Sequence, residues 1–74
     1  MAGFKVGDQV RLLKLEEWFF KGIPAHEVKF LKSCVGKETA ILDFDEYGHA
    51  ELEFTKSKSA MHFVWVEQSW IEKV

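Results

Sequence analysis

Apolar and polar residues alternate most cleanly between Ala40 and Phe54. Ala40, Leu42 and Phe44 alternate with Ile41, Asp43 and Asp45. Beyond Glu46-Tyr47-Gly48, Ala50, Leu52 and Phe54 alternate with His49, Glu51 and Glu53. A two-residue period marks a half-buried strand, because successive side chains leave a strand on opposite faces. A three-residue connection with glycine in the left-handed position is a favoured hairpin turn. The pattern therefore predicts a hairpin pairing Asp45 with His49, Phe44 with Ala50, Asp43 with Glu51 and Leu42 with Leu52. That register places the apolar residues of both strands on one face, and a one-residue slip would scramble them.

Upstream, Phe4-Lys5-Val6-Gly7-Asp8 leads through a Gly-Asp turn into a strand expected from Asp8 to Leu15. Val10, Leu12 and Lys14 fall on one side, with Arg11, Leu13 and Leu15 on the other. Residues 16 to 34 lose this period. Glu16 to Phe20 predicts a helical turn stopped at Gly22, and Pro24 suits the start of a second helix. Val28, Leu31 and Val35 are spaced for one helical face, and Gly36 ends it. The expected product is a helical insert between the first two strands, a lid over an open barrel end. After the hairpin, Thr55 to Ala60 reads as a polar, mobile loop. Met61 to Val66 then reads as a strand with His62, Val64 and Val66 on one side. Met61, Phe63 and Trp65 take the other. A 3₁₀ turn at Glu67-Gln68-Ser69 and a short strand from Trp70 to Val74 close the chain.

Strand, long insert, hairpin, strand, 3₁₀ turn and closing strand is an order that resembles SH3-like barrels. The start, Phe4-Lys5-Val6-Gly7-Asp8-Gln9-Val10-Arg11, is similar to that of the C-terminal barrel of the nitrile hydratase β-subunit. The chain more closely resembles small uncharacterised bacterial proteins of this fold, of a kind sometimes carried on mobile (integron) gene cassettes. The phrases that carry this resemblance are Gly7 to Leu13, the Trp18 segment before Pro24, Val35-Gly36-Lys37, Asp45 to Gly48 and His62 to Glu67. The resemblance implies a mainly β fold: a small SH3-like barrel of about five strands with a helical insert over about residues 16–34. It transfers no function. The tyrosine-rich groove motif of peptide-binding SH3 domains is missing, so polyproline recognition is not expected.

With 74 residues, one domain spanning 1–74 is expected. A chain this short hides only about 60% of its unfolded surface on folding. Yet it carries eleven aromatic residues (seven Phe, three Trp, one Tyr). The net charge is −2, from ten Lys and Arg against twelve Asp and Glu. Nucleic-acid modules usually show a basic excess, because phosphate neutralisation supplies most of their affinity. Cys34 is the only cysteine, so an intrachain disulfide is excluded, in keeping with a reducing cytoplasm. The sequence shows no signal-peptide pattern and no apolar run of membrane-spanning length, so a cytoplasmic location without membrane contact is expected.

Catalytic chemistry finds no anchor, and no enzyme, cofactor or metal site is expected. His26, His49 and His62 lie on different elements without a recognised ligand spacing. His49 and His62 meeting across strands beside Asp43, Glu51 or Glu53 is the metal alternative; Asp45 pairing with His49 is the plainer one. Cys34 falls late in the helix, where a buried thiol is the default. Asp43, Glu51 and Glu53 form an acidic face, either neutralised by Arg11, Lys5 or Lys14 or docking a basic partner. Phe63 and Trp65 point away from Val64 and Val66, so both sets cannot face one interior. Trp18, Phe19 and Phe20 are consecutive and cannot all point inward. The surplus is covered by the insert or forms an exposed interface.

The leading expectation is a non-enzymatic protein-interaction or self-assembly module using Trp18, Phe19, Phe20, Phe63 and Trp65. A nucleic-acid module with Trp18, Trp65, Arg11, Lys56 and Lys58 is the alternative. A third reading is a small-molecule pocket under the lid, lined by Trp18, Phe30 and Leu31, with Cys34 or a histidine as its polar group.

Overall fold

The computed structural model describes residues 3–57 and 60–74, without the side chains of 56, 57 and 60. Five strands form one antiparallel sheet: β1 Gln9–Leu12, β2 Glu38–Phe44, β3 Ala50–Ser57, β4 Ala60–Val66 and β5 Ile71–Lys73, in the order β4-β3-β2-β1-β5. A 3₁₀ turn at Glu17–Phe20 and one helix, α1 Ala25–Ser33, fill the connection between β1 and β2. A second 3₁₀ turn, Gln68–Trp70, precedes β5. The fold is mainly β with a helical insert where the loss of two-residue periodicity placed it.

β2 serves both halves of the sheet. Its start pairs with β1 (Gln9↔Ala40, Arg11↔Glu38) and its end with β3 (Ile41↔Leu52, Asp43↔Glu51, Phe44↔Ala50). The register shifts between Ile41 and Asp43, a bulge that leaves Leu42 without a counterpart on β3. This corrects the expected Leu42–Leu52 pair. Ile41 is buried and Leu42 is 39% exposed, because one extra residue changes which side chain faces the core. The turn beyond is as expected. Gly48 has φ +83°, a conformation costly for any side chain with a Cβ, and its N–H donates to the Asp45 carbonyl.

The inward residues of all five strands meet in one core: Val10, Leu12, Ile41, Ala50, Leu52, Phe54, Val64, Val66 and Ile71, joined by Trp70 from the second 3₁₀ turn and by Leu31 and Cys34 from the insert. On α1 the expected stripe is adjusted. Leu31 is buried and Val28 half-buried, but Val35 is exposed and Cys34 takes the inward place. The helix ends at Ser33, so the 3.6-residue period no longer governs residue 35. Gly36, at φ +93°, turns the chain and donates to the Leu12 carbonyl at 2.7 Å, bringing β2 alongside β1.

Several boundaries move. β1 stops at Leu12 rather than Leu15, and β5 begins at Ile71 with Trp70 in the preceding turn. The polar stretch after Phe54 is mostly strand, not loop: Thr55 pairs with Met61 and Ser57 with Ala60. A ladder is made by the backbone, so polar side chains on its solvent face do not end it. Residues 58 and 59 of that expected loop lie outside the described residues.

Candidate functional site

Alternation along β4 sends Val64 and Val66 into the core and leaves the other face in solvent. Met61 is 56% exposed, Phe63 53% and Trp65 42%. These three form a row one residue apart on the same side, the two-residue spacing read from the sequence. Met61 belongs to the row with the two aromatic candidates. β4 also lies at one end of the strand order, hydrogen-bonded among the described residues to β3 alone.

The Trp18 segment divides differently. Phe19 and Phe20 are half-buried and pack on the core, in an edge-on pair with centroids 5.5 Å apart. Phe19 also meets Trp70 at 5.8 Å, and the Lys32 ammonium lies 5.4 Å from the Phe20 ring. Trp18 packs against Trp70 with ring centroids 5.4 Å apart and the planes tilted by 51°, yet stays 61% exposed. The insert thus absorbs two of the three consecutive rings. Trp18, Phe30 and Leu31 go to separate contacts: Trp70, the His62 ring at 4.8 Å, and the core.

Register sets the acidic residues beside the aromatic row. Asp43 pairs with Glu51, Glu51 with Trp65 and Glu53 with Phe63. Of the three cations expected to neutralise them, Arg11 and Lys14 are engaged elsewhere, and Lys5 makes no ion pair with them among the described residues. Arg11 bonds Glu38 at 2.7 Å and Glu72 at 2.9 Å, its counterparts in the registers of β2 and β5. The hydrogen bonds to Glu38 and then Glu72 raise its pKa. Lys14 pairs with Glu16. Among the described residues no ion pair engages Asp43, Glu51 or Glu53. Lys56 and Lys58, the phosphate-binding candidates, have side chains outside the described residues.

A shallow groove of about 350 Å³ opens where the β2–β3 turn meets the segment after β4, lined by Tyr47, Gly48, His49, Glu67, Gln68 and Ser69. The pairing Ala50↔Val66 brings these two segments together, and Gln68 Nε2 donates to the Gly48 carbonyl at 2.8 Å. Asp45 organises one wall. Its Oδ1 accepts from the N–H groups of Tyr47 and His49, and its Oδ2 lies 2.9 Å from His49 Nδ1. Partial burial pushes the Asp45 carboxyl up, but these bonds outweigh it and hold the group below the ordinary carboxylate range.

A carboxylate-oriented imidazole is the arrangement of a general base or a metal ligand, but either needs a converging partner. His62 is on β4 against Phe30 and His26 on α1, so neither meets His49. Among the described residues no group of three or more His, Cys, Asp or Glu is placed to hold a metal. Cys34 is buried, its Sγ 3.4 Å from the Phe30 carbonyl oxygen, and burial raises its pKa against the opposing influence of Lys37 and Ser33. No described helix is long and apolar enough to cross a membrane. Comparison with known proteins found no family model, no curated protein and no solved structure that matches the chain.

Proposed function

We propose that this protein is a non-enzymatic interaction module that associates with copies of itself through β4, the strand that carries its exposed aromatic row. The observation that carries this reading is the row Met61, Phe63 and Trp65, each about half exposed on one strand face while the opposite face of that strand fills the core. A large ring carries roughly 150–250 Å², so the row presents on the order of 300 Å² per copy. Patches of that size occur on monomers as well. Position decides between them: this one lies on an edge strand, whose outer backbone side has no partner among the described residues. Even with both rows fully covered, two copies would bury on the order of 600 Å² of side chain, below the roughly 1,200 Å² of a stable standard interface. The association is therefore expected to be reversible and micromolar.

The same reading takes the sheet as a small SH3-like barrel, supported by its strand order, the shared and bulged β2, and the 3₁₀ turn before β5. A location in the cytoplasm is in keeping with the unpaired thiol of Cys34. Nucleic-acid binding has less support, because Arg11 is held by two carboxylates and the candidate face is bordered by Asp43, Glu51 and Glu53. Light scattering of the wild type and Trp65→Ala at high micromolar concentration tests the proposal. The expected result is a mass above the monomer for the wild type that falls towards the monomer in the variant. A strictly monomeric wild type overturns it.

A further inference from the structure

We infer that the contact is made edge to edge: β4 of one copy pairs antiparallel with β4 of a second, with Phe63 on the two-fold axis. This rests on the self-association proposed above and adds its geometry. An exposed sheet edge is a row of unsatisfied N–H and C=O groups. Soluble proteins usually blunt such edges with charge, proline, brevity or a bulge. The two edges of this sheet are treated differently. β5 is three residues long and carries Glu72, paired with Arg11 at 2.9 Å, and Lys73, which lies 3.4 Å from Asp8. β4 is seven residues long, Ala60-Met61-His62-Phe63-Val64-Trp65-Val66, with no Lys, Arg, Asp, Glu or Pro. Among the described residues, no backbone hydrogen bond from another element reaches its far side.

Phe63 is the midpoint of β4, so a two-fold axis there pairs all seven residues with their counterparts. Self-complementarity follows from the symmetry. Phe63 lies against its own copy, and Met61 lies against Trp65 of the other chain, a sulfur–aromatic contact. The alternative, stacking the two outward faces, meets an electrostatic obstacle. Glu51 and Glu53 are the direct neighbours of Trp65 and Phe63, with Asp43 one strand further, and none is ion-paired among the described residues. Face stacking desolvates these carboxylates against apolar surface or against each other. Edge pairing leaves them in water, with β3 and its copy three strand spacings apart, roughly 14 Å. That exceeds the Debye length of about 8 Å at physiological salt. Charge and hydrogen bonding thus favour the same arrangement.

Amide hydrogen exchange on the wild-type chain, read residue by residue at about 20 μM and about 1 mM, tests this directly. The alternate β4 amides that do not bond β3 are expected to slow at least several-fold at the higher concentration. Disulfide trapping of Phe63→Cys gives a second readout. Directly opposed antiparallel residues have Cα atoms about 4.5–5.5 Å apart, within disulfide range, so a covalent dimer is expected. Glu53→Cys, one strand inward, is expected to give none. A dimer whose β4 amides exchange equally fast at both concentrations, or which traps through position 53, overturns edge pairing and leaves self-association standing. A wild type that is monomeric throughout overturns both. Should Phe63→Cys fail to fold, the exchange measurement on the wild type decides alone.

Discussion

Alanine placed separately at Ile41 and Leu42 distinguishes two descriptions of β2. Both substitutions remove three carbons from adjacent positions on the same strand. Ile41 is 1% exposed and belongs to the core. Its loss forfeits about 2.4 kcal/mol of transfer free energy at about 0.8 kcal/mol per carbon, plus a cavity penalty, so about 3 kcal/mol is expected. Leu42 is 39% exposed. Part of its side chain is already wet and water fills the space left behind, so about 1 kcal/mol is expected. Typical stabilities of 0.05–0.15 kcal/mol per residue put a chain of this length at about 4–11 kcal/mol, so the first change is severe and the second mild. Urea unfolding followed by tryptophan fluorescence reads both. With a slope of about 1 kcal/mol per molar for so small a domain, the midpoint falls by about 3 M for Ile41→Ala and about 1 M for Leu42→Ala. Equal losses, or a larger loss at Leu42, would mean that strict alternation holds and the bulge is misplaced.

Trp70→Ala removes a buried ring that also backs Trp18 and Phe19, and should cost about 3–5 kcal/mol, leaving little cooperative unfolding by calorimetry. Cys34 should resist a thiol reagent at pH 8 in the folded chain and react fully in denaturant; rapid native labelling would contradict its burial. The Asp45 carboxyl sits below its ordinary range, so its charge contributes stability at neutral pH that is lost as pH falls through and below that range. The stability gap between wild type and Asp45→Asn should therefore be widest near pH 7 and narrow on acidification to about pH 3. A gap that is constant with pH would show that the carboxylate's charge plays no part.

Local patterns were legible in the sequence, and long-range pairings were not. The β2–β3 turn was readable because Gly48 and the flanking alternation demand the same geometry. The outward row on β4 was readable because a two-residue period separates Phe63 and Trp65 from Val64 and Val66 whatever the neighbours do. Leu42 was misassigned because alternation assumes that every residue takes a counterpart, and a bulge breaks that assumption without a compositional mark. Thr55 to Ser57 read as loop because polarity is a property of side chains, and the ladder is made by the backbone. Arg11 was assigned to the acidic hairpin face, but its partners follow from the registers Arg11↔Glu38 and Arg11↔Glu72. The groove joins segments about twenty residues apart through Ala50↔Val66, and no local pattern announces it.

Self-association through β4 requires that Phe63 and Trp65 contribute to the contact and little to the fold. Sedimentation equilibrium and thermal unfolding of the double variant Phe63→Ser/Trp65→Ser, beside the wild type, test that division. The wild-type mass should climb from 8.6 kDa towards twice that value with concentration, while the variant stays at its monomer mass and keeps a melting temperature close to that of the dilute wild type. A wild type fixed at 8.6 kDa up to about 1 mM, well above the micromolar association proposed, or a variant that no longer folds, would contradict it.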